Sequence, residues 1–480
     1  MTPLETLPAA APDRITPDGT ARDRAPTEHE PPPAAGPRWA MRGGLLLALV
    51  GAVGLALGVE PFRTYFYAFV WWGWIAAASG WTQARAGRSL LFTRPRAFGL
   101  LTLWSVTFWL LFEVLNIALD NWYYVGSMPT LAGRLLGMTV CFATVLPGVF
   151  VTRDCIAALG FAAGARLRAR PIGAGASRNL ALCGVLFTAL PLIWPTYFYP
   201  LVWGATFFLG EAFLVHRGQR GLIVCLAAGD PRPALQLLAA GFVTGGLWES
   251  WNFFAGAKWM YTVPFFEHLK LFEMPLLGFL GFPPFALECY SFACILVALG
   301  LCPPFDEGFD AEDAARTTTT RATLGALAAA VLAVPMMFAT DAEVVRGTRA
   351  LVSEMKSLPS GSQTALTRAG YTDVRDLLAV IHGDHAPTAW SSLPPQLRAA
   401  AESEMELMNT ALMGARGVAW LDAISVENAH ELAALDWRRV VSLAGSATPV
   451  AQSLLRRYGP APYDREVRNW VRAARRATEH

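Results

Sequence analysis

The stretch from Trp248 to Pro264 reads WESWNFFAGAKWMYTVP and places a carboxylate and an amide at the end of a long apolar segment. Glu249 and Asn252 are three residues apart, so a helix presents both side chains on one face. A charged group inside a bilayer costs about 2.5 to 3.5 kcal/mol on insertion scales, so these groups should face the protein interior or a wet cavity. Glu249 is therefore a candidate proton donor or acceptor, with Asn252 orienting it.

The same pattern occurs once before in the chain. Glu113 and Asn116 have the same spacing and precede WYYV at Trp122, just as Glu249 and Asn252 precede WMYTV at Trp259. The aromatic residues 122–124 fit the belt of Trp and Tyr side chains at a membrane surface. We predict that Glu113 and Asn116 belong to the same binding site as the second pair. The alternative is structural, with Glu249 and Asn252 forming an interhelical clamp between the two halves.

Glu288 is the strongest single candidate for proton chemistry. It follows GFPPFAL, in which two prolines loosen the start of a helix, and the corresponding VLPGVF segment of the first half has no acidic residue. A buried carboxyl group without a fixed cation is what a proton donor or proton-coupled carrier uses. Glu249 and Glu288 are thus the predicted catalytic pair. The predicted substrate-binding residues are Asn252, Trp248, Trp259, Tyr261, Glu273, Glu113 and Asn116, and further ionisable groups nearby are Lys258, Glu267, His268 and Lys270.

These residues belong to a chain that has the composition of a membrane protein. Of its 480 residues, 54% are hydrophobic and only 16% are charged, which is unusual for a soluble protein of this size. Apolar segments long enough to cross a hydrocarbon core recur along it. They predict helices at 43–59, 63–81, 97–118, 131–152, 179–194, 196–213, 234–254 and 275–301, and a ninth, less apolar, at 322–340.

Internal similarity predicts how these helices are organised. TYFYAFVW from Thr64 returns 132 residues later as TYFYPLVW from Thr196, and two arginines downstream keep the same offset. The repeating unit therefore contains four helices, and an even number of crossings leaves both copies facing the same way. We predict repeat one at 41–178, repeat two at 179–302 and an acidic linker at 303–321. A disordered tail, 1–40, precedes them, because its Pro-rich and charged composition cannot bury enough apolar surface.

Basic residues predict the orientation. Twelve arginines lie in alternate loops, against three basic residues in the loops between them. By the positive-inside rule, the N-terminus is cytoplasmic, and a ninth crossing places the C-terminal region outside. The sequence thus predicts a multi-pass protein of a bacterial inner membrane, with its acidic groups gathered near the outer surface.

The second repeat resembles a known family. WESWN, WMY and FPPFALECYSF resemble the acidic and aromatic pattern of bacterial and fungal lycopene cyclase membrane domains and related carotenoid enzymes, in which short helical units are likewise duplicated. The resemblance assigns Glu249 to the family's Trp-acid position, Trp259 and Tyr261 to its Trp-x-aromatic position, and Glu288 to its last acidic position. Glu288 stands alone where that family has two acidic residues. The resemblance implies a pocket for a polyisoprenoid, and an enzyme of this kind would be a lyase or isomerase.

Two other classes of function fit the same residues. Parallel repeats with charges in the membrane also describe transporters and channels, which need polar groups along a route across both leaflets. Here the inner half offers mainly Glu211. A membrane scaffold or assembly subunit is the third class, with the extramembrane segments as its working surfaces.

The C-terminal region, 341–480, has the composition of a soluble helical domain. TRAGYTDVRDLLAV from Thr367 and LDAISVENAHELAAL from Leu421 resemble small tandem helix-hairpin-helix modules. A position outside the membrane excludes nucleic acid and leaves a protein partner, docking through 341–480, as the expectation. HGDH at 382–385 lacks a third metal ligand nearby, so no metal site is predicted. No nucleotide-binding motif is present and no cofactor is predicted.

The sequence therefore predicts an all-α fold: a polytopic membrane bundle of eight or nine helices in two parallel repeats, followed by a soluble helical domain. It predicts a membrane lipid or polyisoprenoid as ligand and leaves the oligomeric state open.

Overall fold

The structure is a computed structural model that describes residues 35–119, 121–125, 127–128, 130–261, 263, 270–344, 360–371 and 394–399. Several predictions lie outside these residues. They are the tail up to residue 34, Glu267, His268, the HGDH segment and most of the C-terminal domain with its two helix-hairpin-helix-like units.

The described chain is mostly helical, and seven of its helical segments are long and apolar enough to cross a membrane. The prediction of an all-α, multi-pass membrane bundle is confirmed at this level. The seven segments are Gly36–Ala56, Pro95–Leu119, Leu131–Ala158, Ala176–Ile193, Pro195–His216, Leu276–Ala298 and Thr319–Glu343.

The helices lie close to their predicted positions. The first half contains α1 (Ala35–Ala56), α2 (Phe62–Ala86), α3 (Leu90–Thr93), α4 (Pro95–Leu119), α5 (Leu131–Phe142) and α6 (Val145–Ala158). The second half contains α7 (Ala176–Ile193), α8 (Pro195–Phe198), α9 (Val202–His216), α10 (Leu222–Ala227), α11 (Arg232–Phe254) and α12 (Phe282–Ala298). Then follow α13 (Ala311–Arg316), α14 (Thr319–Glu343) and α15 (Ser360–Arg368).

Three details differ from the sequence prediction. The first helix begins at Ala35, inside the segment predicted to be a disordered tail. The predicted helix at 131–152 is two helices, because α5 ends at Phe142 and α6 starts at Val145. The predicted helix at 275–301 starts as a 3₁₀ turn, Leu276–Gly281, and becomes α-helical where Pro283 and Pro284 occupy the first turn of α12, the part of a helix that tolerates proline.

Glycine allows the first two helices to pack closely. A Cβ atom added to Gly44 of α1 would lie 2.4 Å from the carbonyl oxygen of Gly73 in α2. Helices in lipid lack a hydrophobic drive to associate, so close contact of backbones through small residues contributes much of their attraction. The contact explains why two glycines stand at these positions.

A two-stranded ribbon joins the two halves. Strand β1 (Trp122–Val125), after α4, pairs antiparallel with β2 (Lys258–Tyr261), after α11. Trp122 is opposite Tyr261, and Tyr124 is opposite Trp259. A second short ribbon pairs β3 (Lys270–Leu271) with β4 (Met274–Pro275). We call the side of the bundle that carries β1 and β2 the ribbon end.

A network of arginines and acids occupies the opposite side, which we call the arginine end. Asp306, in the segment after α12, forms ion pairs with Arg153 of α6 and Arg220, which precedes α10, and accepts a hydrogen bond from Tyr290 of α12 over 2.8 Å. The predicted acidic linker therefore folds against both halves.

Candidate functional site

At the ribbon end of the first half, Glu113 and Asn116 hold β1. Glu113 of α4 is completely buried. One of its oxygens, Oε1, accepts from the Trp109 indole N–H over 2.7 Å and from the Tyr124 hydroxyl over 2.5 Å. The Trp122 indole N–H lies 3.2 Å from both carboxylate oxygens. The Asn116 amide donates to the Trp122 carbonyl over 2.8 Å and accepts from the Trp122 N–H over 3.3 Å.

The second half repeats this arrangement. Glu249 of α11 is completely buried and accepts from the Tyr261 hydroxyl over 2.7 Å. The Asn252 amide donates to the Trp259 carbonyl and accepts from the Trp259 N–H, each over 2.9 Å. These bonds join each helix to the strand that follows it in sequence. The alternative prediction was that Glu249 and Asn252 form hydrogen bonds between helices. The hydrogen bonds described above instead join α11 to β2.

The two carboxylates differ in one respect. Both oxygens of Glu113 accept hydrogen bonds, whereas Oε2 of Glu249 is buried and accepts none from the described residues. A buried polar atom without a partner carries a penalty of roughly 1 to 3 kcal/mol and calls for an explanation. Oε2 of Glu249 is therefore available to carry a proton. Both oxygens of Glu113, by contrast, already accept hydrogen bonds from neighbouring aromatic side chains.

A cavity of about 150 Å³ lies beside the β1–β2 ribbon. Its wall draws on both halves of the chain and includes five indole rings. Trp122 and Trp203 stack with centroids 6.0 Å apart, and Tyr67 meets Trp259 edge-on at 5.3 Å. The indole rings of the wall belong to Trp109, Trp122, Trp203, Trp248 and Trp259.

Three of the nine predicted site residues line this cavity, and five others are bonded to a residue that lines it. Trp248, Trp259 and Tyr261 line it directly. Glu249, Asn252, Glu113 and Asn116 do not line it, but each is bonded to a residue that does: Tyr261, Trp259, Tyr124 and Trp122 respectively. Glu273 does not line the cavity either, but it forms an ion pair with Lys258, which does.

Glu288 does not line the cavity, although Phe285, one helical turn before it, does. Its carboxylate is completely buried, with Thr206 and the backbone of Phe207 as polar neighbours. Within the described chain, neither carboxylate oxygen makes a hydrogen bond of ordinary geometry. The structure thus separates the two predicted catalytic carboxylates, with Glu249 behind the aromatic wall and Glu288 between α9 and α12.

Glu211, the acid noted for the inner half, has a structural role. Its oxygens accept from the backbone N–H groups of Leu222 and Ile223, the first residues of α10, and from the Ser291 hydroxyl over 2.6 Å. A carboxylate in this position satisfies N–H groups that a helix start leaves without partners.

Sequence reasoning missed two features of the cavity. Trp122 and Tyr124 were interpreted as an interfacial belt, but Trp122 is only 4% exposed and Tyr124 is bonded to Glu113. The predicted helix at 131–152 includes Arg134, and the structure adds that this side chain, in the first turn of α5, lines the cavity and pairs with Asp341 of α14. The only sequence signal for Arg134 is a single charge near the start of an apolar run.

The two ribbon tyrosines that bond to the buried carboxylates, Tyr124 and Tyr261, stay neutral. Burial, reinforced by the nearby carboxylates, raises the pKa of Tyr124 and of Tyr261 well above its ordinary value of 10. Both hydroxyls therefore remain hydrogen-bond donors to Glu113 and Glu249 at neutral pH.

In the described part of the chain, no group of three or more His, Cys, Asp and Glu residues could hold a metal ion. The chain matches no protein-family model, no curated protein and no solved structure.

Proposed function

We propose that this membrane protein binds the hydrocarbon part of an isoprenoid or carotenoid-like lipid in the aromatic cavity at its ribbon end. The observation that carries the proposal is the composition of the cavity wall: its rings come from both halves, and the hydroxyls of Tyr124 and Tyr261 are held in hydrogen bonds with Glu113 and Glu249. Aromatic and aliphatic surfaces with few polar groups are what apolar ligand sites present.

The size of the cavity limits what it holds. An apolar cavity of about 150 Å³ accommodates a molecule the size of benzene and stays dry when empty. The cavity here has that volume, so it takes about one isoprene unit. The remainder of a long chain must extend out of the opening along the protein or into lipid.

Duplication explains how such a site arises, and we include it in the proposal. Each half supplies a Glu-x-x-Asn helix followed by a strand, and the strands pair so that Trp122 meets Tyr261 while Tyr124 meets Trp259. This reciprocal pairing is the signature of a twofold relation. In addition, α4 and α11 both end at the ribbon end, which fits parallel repeats related by an axis along the membrane normal.

The proposed topology has nine crossings. Besides the seven apolar segments, α2 and α11 have 25 and 23 residues and pack among the other helices, where their polar residues avoid lipid. With the arginine end facing the cytoplasm of a bacterial cell, the cavity opens toward the outer side.

An acid–base activity would use Glu249 and Tyr261. Tyr261 lines the cavity and Glu249 lies behind it, so a proton can pass from the carboxyl group through the hydroxyl to an alkene carbon of the ligand. Return of a proton from a neighbouring carbon to the Tyr261 oxygen, and from the hydroxyl to the Glu249 carboxylate, moves the double bond without any added reagent, which is an isomerisation. Aromatic faces of the wall stabilise the positive charge that develops between the two steps.

The test is to extract lipids from protein purified in mild detergent and identify them by mass spectrometry. Gly281 lines the cavity, and a Cβ atom there has Trp203 as its nearest neighbour at 3.7 Å, so Gly281→Phe places a ring in the cavity. Wild-type protein should carry a prenyl or polyene lipid that Gly281→Phe lacks.

Gly246→Phe is the matched control, because a Cβ atom at Gly246 meets nothing within 4 Å and the residue does not line the cavity. Equal lipid content in all three proteins, or none in the wild type, would count against the proposal. Uptake of a solute into liposomes, lost in Gly281→Phe, would favour a transporter instead.

A further inference from the structure

The charges at the cavity indicate the chemistry of the ligand's polar end. Arg134 and Lys258 both line the cavity, whereas their ion-pair partners, Asp341 and Glu273, do not. Each half of the chain therefore contributes a cation to the cavity wall, while the carboxylate that pairs with this cation does not line the cavity. The cations are partly buried, with side chains 15% and 18% exposed.

Among the described residues, the cavity wall also has hydrogen-bond donors with unused N–H groups. An ammonium group has three N–H groups, and the described residues accept two bonds from Lys258, at Glu273 and at the Phe253 carbonyl. Trp248, which is 5% exposed and lines the cavity, has an indole N–H with no acceptor among the described residues. A buried donor without an acceptor is costly, so a bound molecule that supplies an oxygen atom would relieve the cost.

From these donors we infer that the ligand is an amphiphile: an isoprenoid whose end carries an oxygen group, which accepts hydrogen bonds from the cavity donors, Lys258 first among them, with Arg134 and Trp248 as the other donors of the wall. The oxygen group belongs to an alcohol, a ketone or a phosphate ester, and the hydrocarbon occupies the aromatic part of the cavity. This inference rests on the proposed function and adds the polar end to it. A pure hydrocarbon would leave all three donors without new partners.

The test compares three ligands with one carbon skeleton: myrcene, geraniol and geranyl phosphate. Binding to the full-length protein in nanodiscs is measured by titration calorimetry, with empty nanodiscs as the reference for partition into lipid. A hydrogen bond from a charged donor contributes about 1.5 to 3 kcal/mol, so geraniol or geranyl phosphate should bind at least about tenfold more tightly than myrcene. Preference for the phosphate identifies an anionic end group, and equal affinity identifies a neutral one.

Variants assign the effect to the cavity. Lys258→Gln combined with Glu273→Gln removes both charges, leaves the net charge unchanged and should reduce the preference for the oxygenated ligands by about tenfold. Asp230→Asn combined with Arg232→Gln removes a more exposed ion pair at the start of α11, away from the cavity, and should leave the preference unchanged.

The outcomes separate the two proposals. If myrcene binds as tightly as geraniol and geranyl phosphate, the cavity binds hydrocarbon and the inference about a polar end is overturned. If the preference survives in the Lys258 double variant, the donors lie elsewhere and the inference is also overturned. If none of the three ligands binds, the proposed function itself fails.

Discussion

Asn252 binds Trp259 through both backbone groups of that residue, accepting from its N–H and donating to its carbonyl, each over 2.9 Å. Asn116 does the same for Trp122. An asparagine side chain offers one acceptor and two donors, so it can substitute for a neighbouring strand. In this way the last turn of α11, like that of α4, fixes the strand that follows, and with it an indole ring of the cavity wall.

Asn252→Ala should therefore loosen the ribbon as well as the helix. Loss of two hydrogen bonds at a fully buried side chain should lower the free energy of unfolding by about 2 to 4 kcal/mol. The thermal midpoint in detergent measures the stability, and the amount of lipid that remains bound after purification shows whether the cavity is intact. Gln236→Ala is the control, because it removes one exposed bond, to the Phe161 carbonyl. Similar midpoints for the two variants would contradict the role assigned to Asn252.

The two ribbon tyrosines that bond to Glu113 and Glu249 should differ in their contribution to stability. After Tyr124→Phe, Glu113 still accepts from Trp109 and Trp122. After Tyr261→Phe, Glu249 loses its hydrogen bond to Oε1 while Oε2 already has no partner in the described chain. We expect Tyr261→Phe to reduce stability by about 1 to 3 kcal/mol and Tyr124→Phe by less. Urea or detergent unfolding of the two variants in parallel provides the comparison, and the reverse order would refute the asymmetry.

Stability should fall in alkaline solution because of the same two side chains. Tyrosines of the unfolded chain ionise near pH 10, while burial raises the pKa of Tyr124 and Tyr261 in the folded chain well above that value. Above about pH 10 the unfolded state then binds fewer protons, so the free energy of unfolding decreases as pH rises, by up to about 1.4 kcal/mol per pH unit for each tyrosine. Below the unfolded pKa this contribution is fully present.

Unfolding midpoints on either side of pH 10 test this dependence. The double variant Tyr124→Phe, Tyr261→Phe should show a shallower decline than the wild type, whereas Tyr197→Phe, which removes an exposed hydroxyl, should decline like the wild type. An unchanged slope in the double variant would show that other groups control the alkaline transition.

Glu288 and Glu211 are both completely buried carboxylates, but they differ in their hydrogen bonds and can be compared by the same substitution. Glu288→Met replaces a group that lacks hydrogen bonds of ordinary geometry and should raise the free energy of unfolding by about 1 to 3 kcal/mol. Glu211→Met removes the acceptor of two backbone N–H groups and a hydroxyl and should lower it by at least about 2 kcal/mol. Thermal midpoints measure both.

A gain in stability at Glu288 would also bear on function. Proteins keep a destabilising polar group when activity requires it, so a stabilised Glu288→Met protein that has lost turnover or transport would assign Glu288 to the activity. Destabilisation by Glu288→Met would mean that the carboxyl group has a partner that holds it in the fold.

The sequence allowed the helices and the acidic pattern to be predicted, since both depend on local periodicity. α4 was expected at 97–118 and α11 at 234–254, and the structure places them within a few residues. The shared face of Glu249 and Asn252 follows from three-residue spacing alone. These features need no information about the rest of the chain.

The ribbon and the cavity charges could not be predicted in the same way. Pairing of β1 with β2 joins segments more than 130 residues apart, and strands of four residues have too little pattern to specify a partner. The pairing of Arg134 with Asp341 likewise depends on α14 packing beside α4 and α5. Tertiary packing, and not local sequence, determines which groups surround the cavity.

The segment after α12 should hold the arginine end together. Asp306 is partly buried, pairs with Arg153 and Arg220 from opposite halves and accepts from Tyr290. Because Asp306→Asn leaves Arg153 with Asp154 alone and removes the acidic partner of Arg220, it should lower the free energy of unfolding by about 1.5 to 3 kcal/mol. Glu307→Gln breaks an exposed ion pair with Arg88 and should change it by less than about 1 kcal/mol.

The comparison of Asp306→Asn with Glu307→Gln separates a specific network from general charge. Both substitutions remove one negative charge from adjacent positions, so a non-specific electrostatic effect predicts equal losses, which high salt would abolish in both. A specific network predicts a loss confined to Asp306→Asn that persists in high salt, because its groups are largely shielded from solvent. The thermal midpoints of both variants at low and high salt therefore decide whether this segment holds the two halves together.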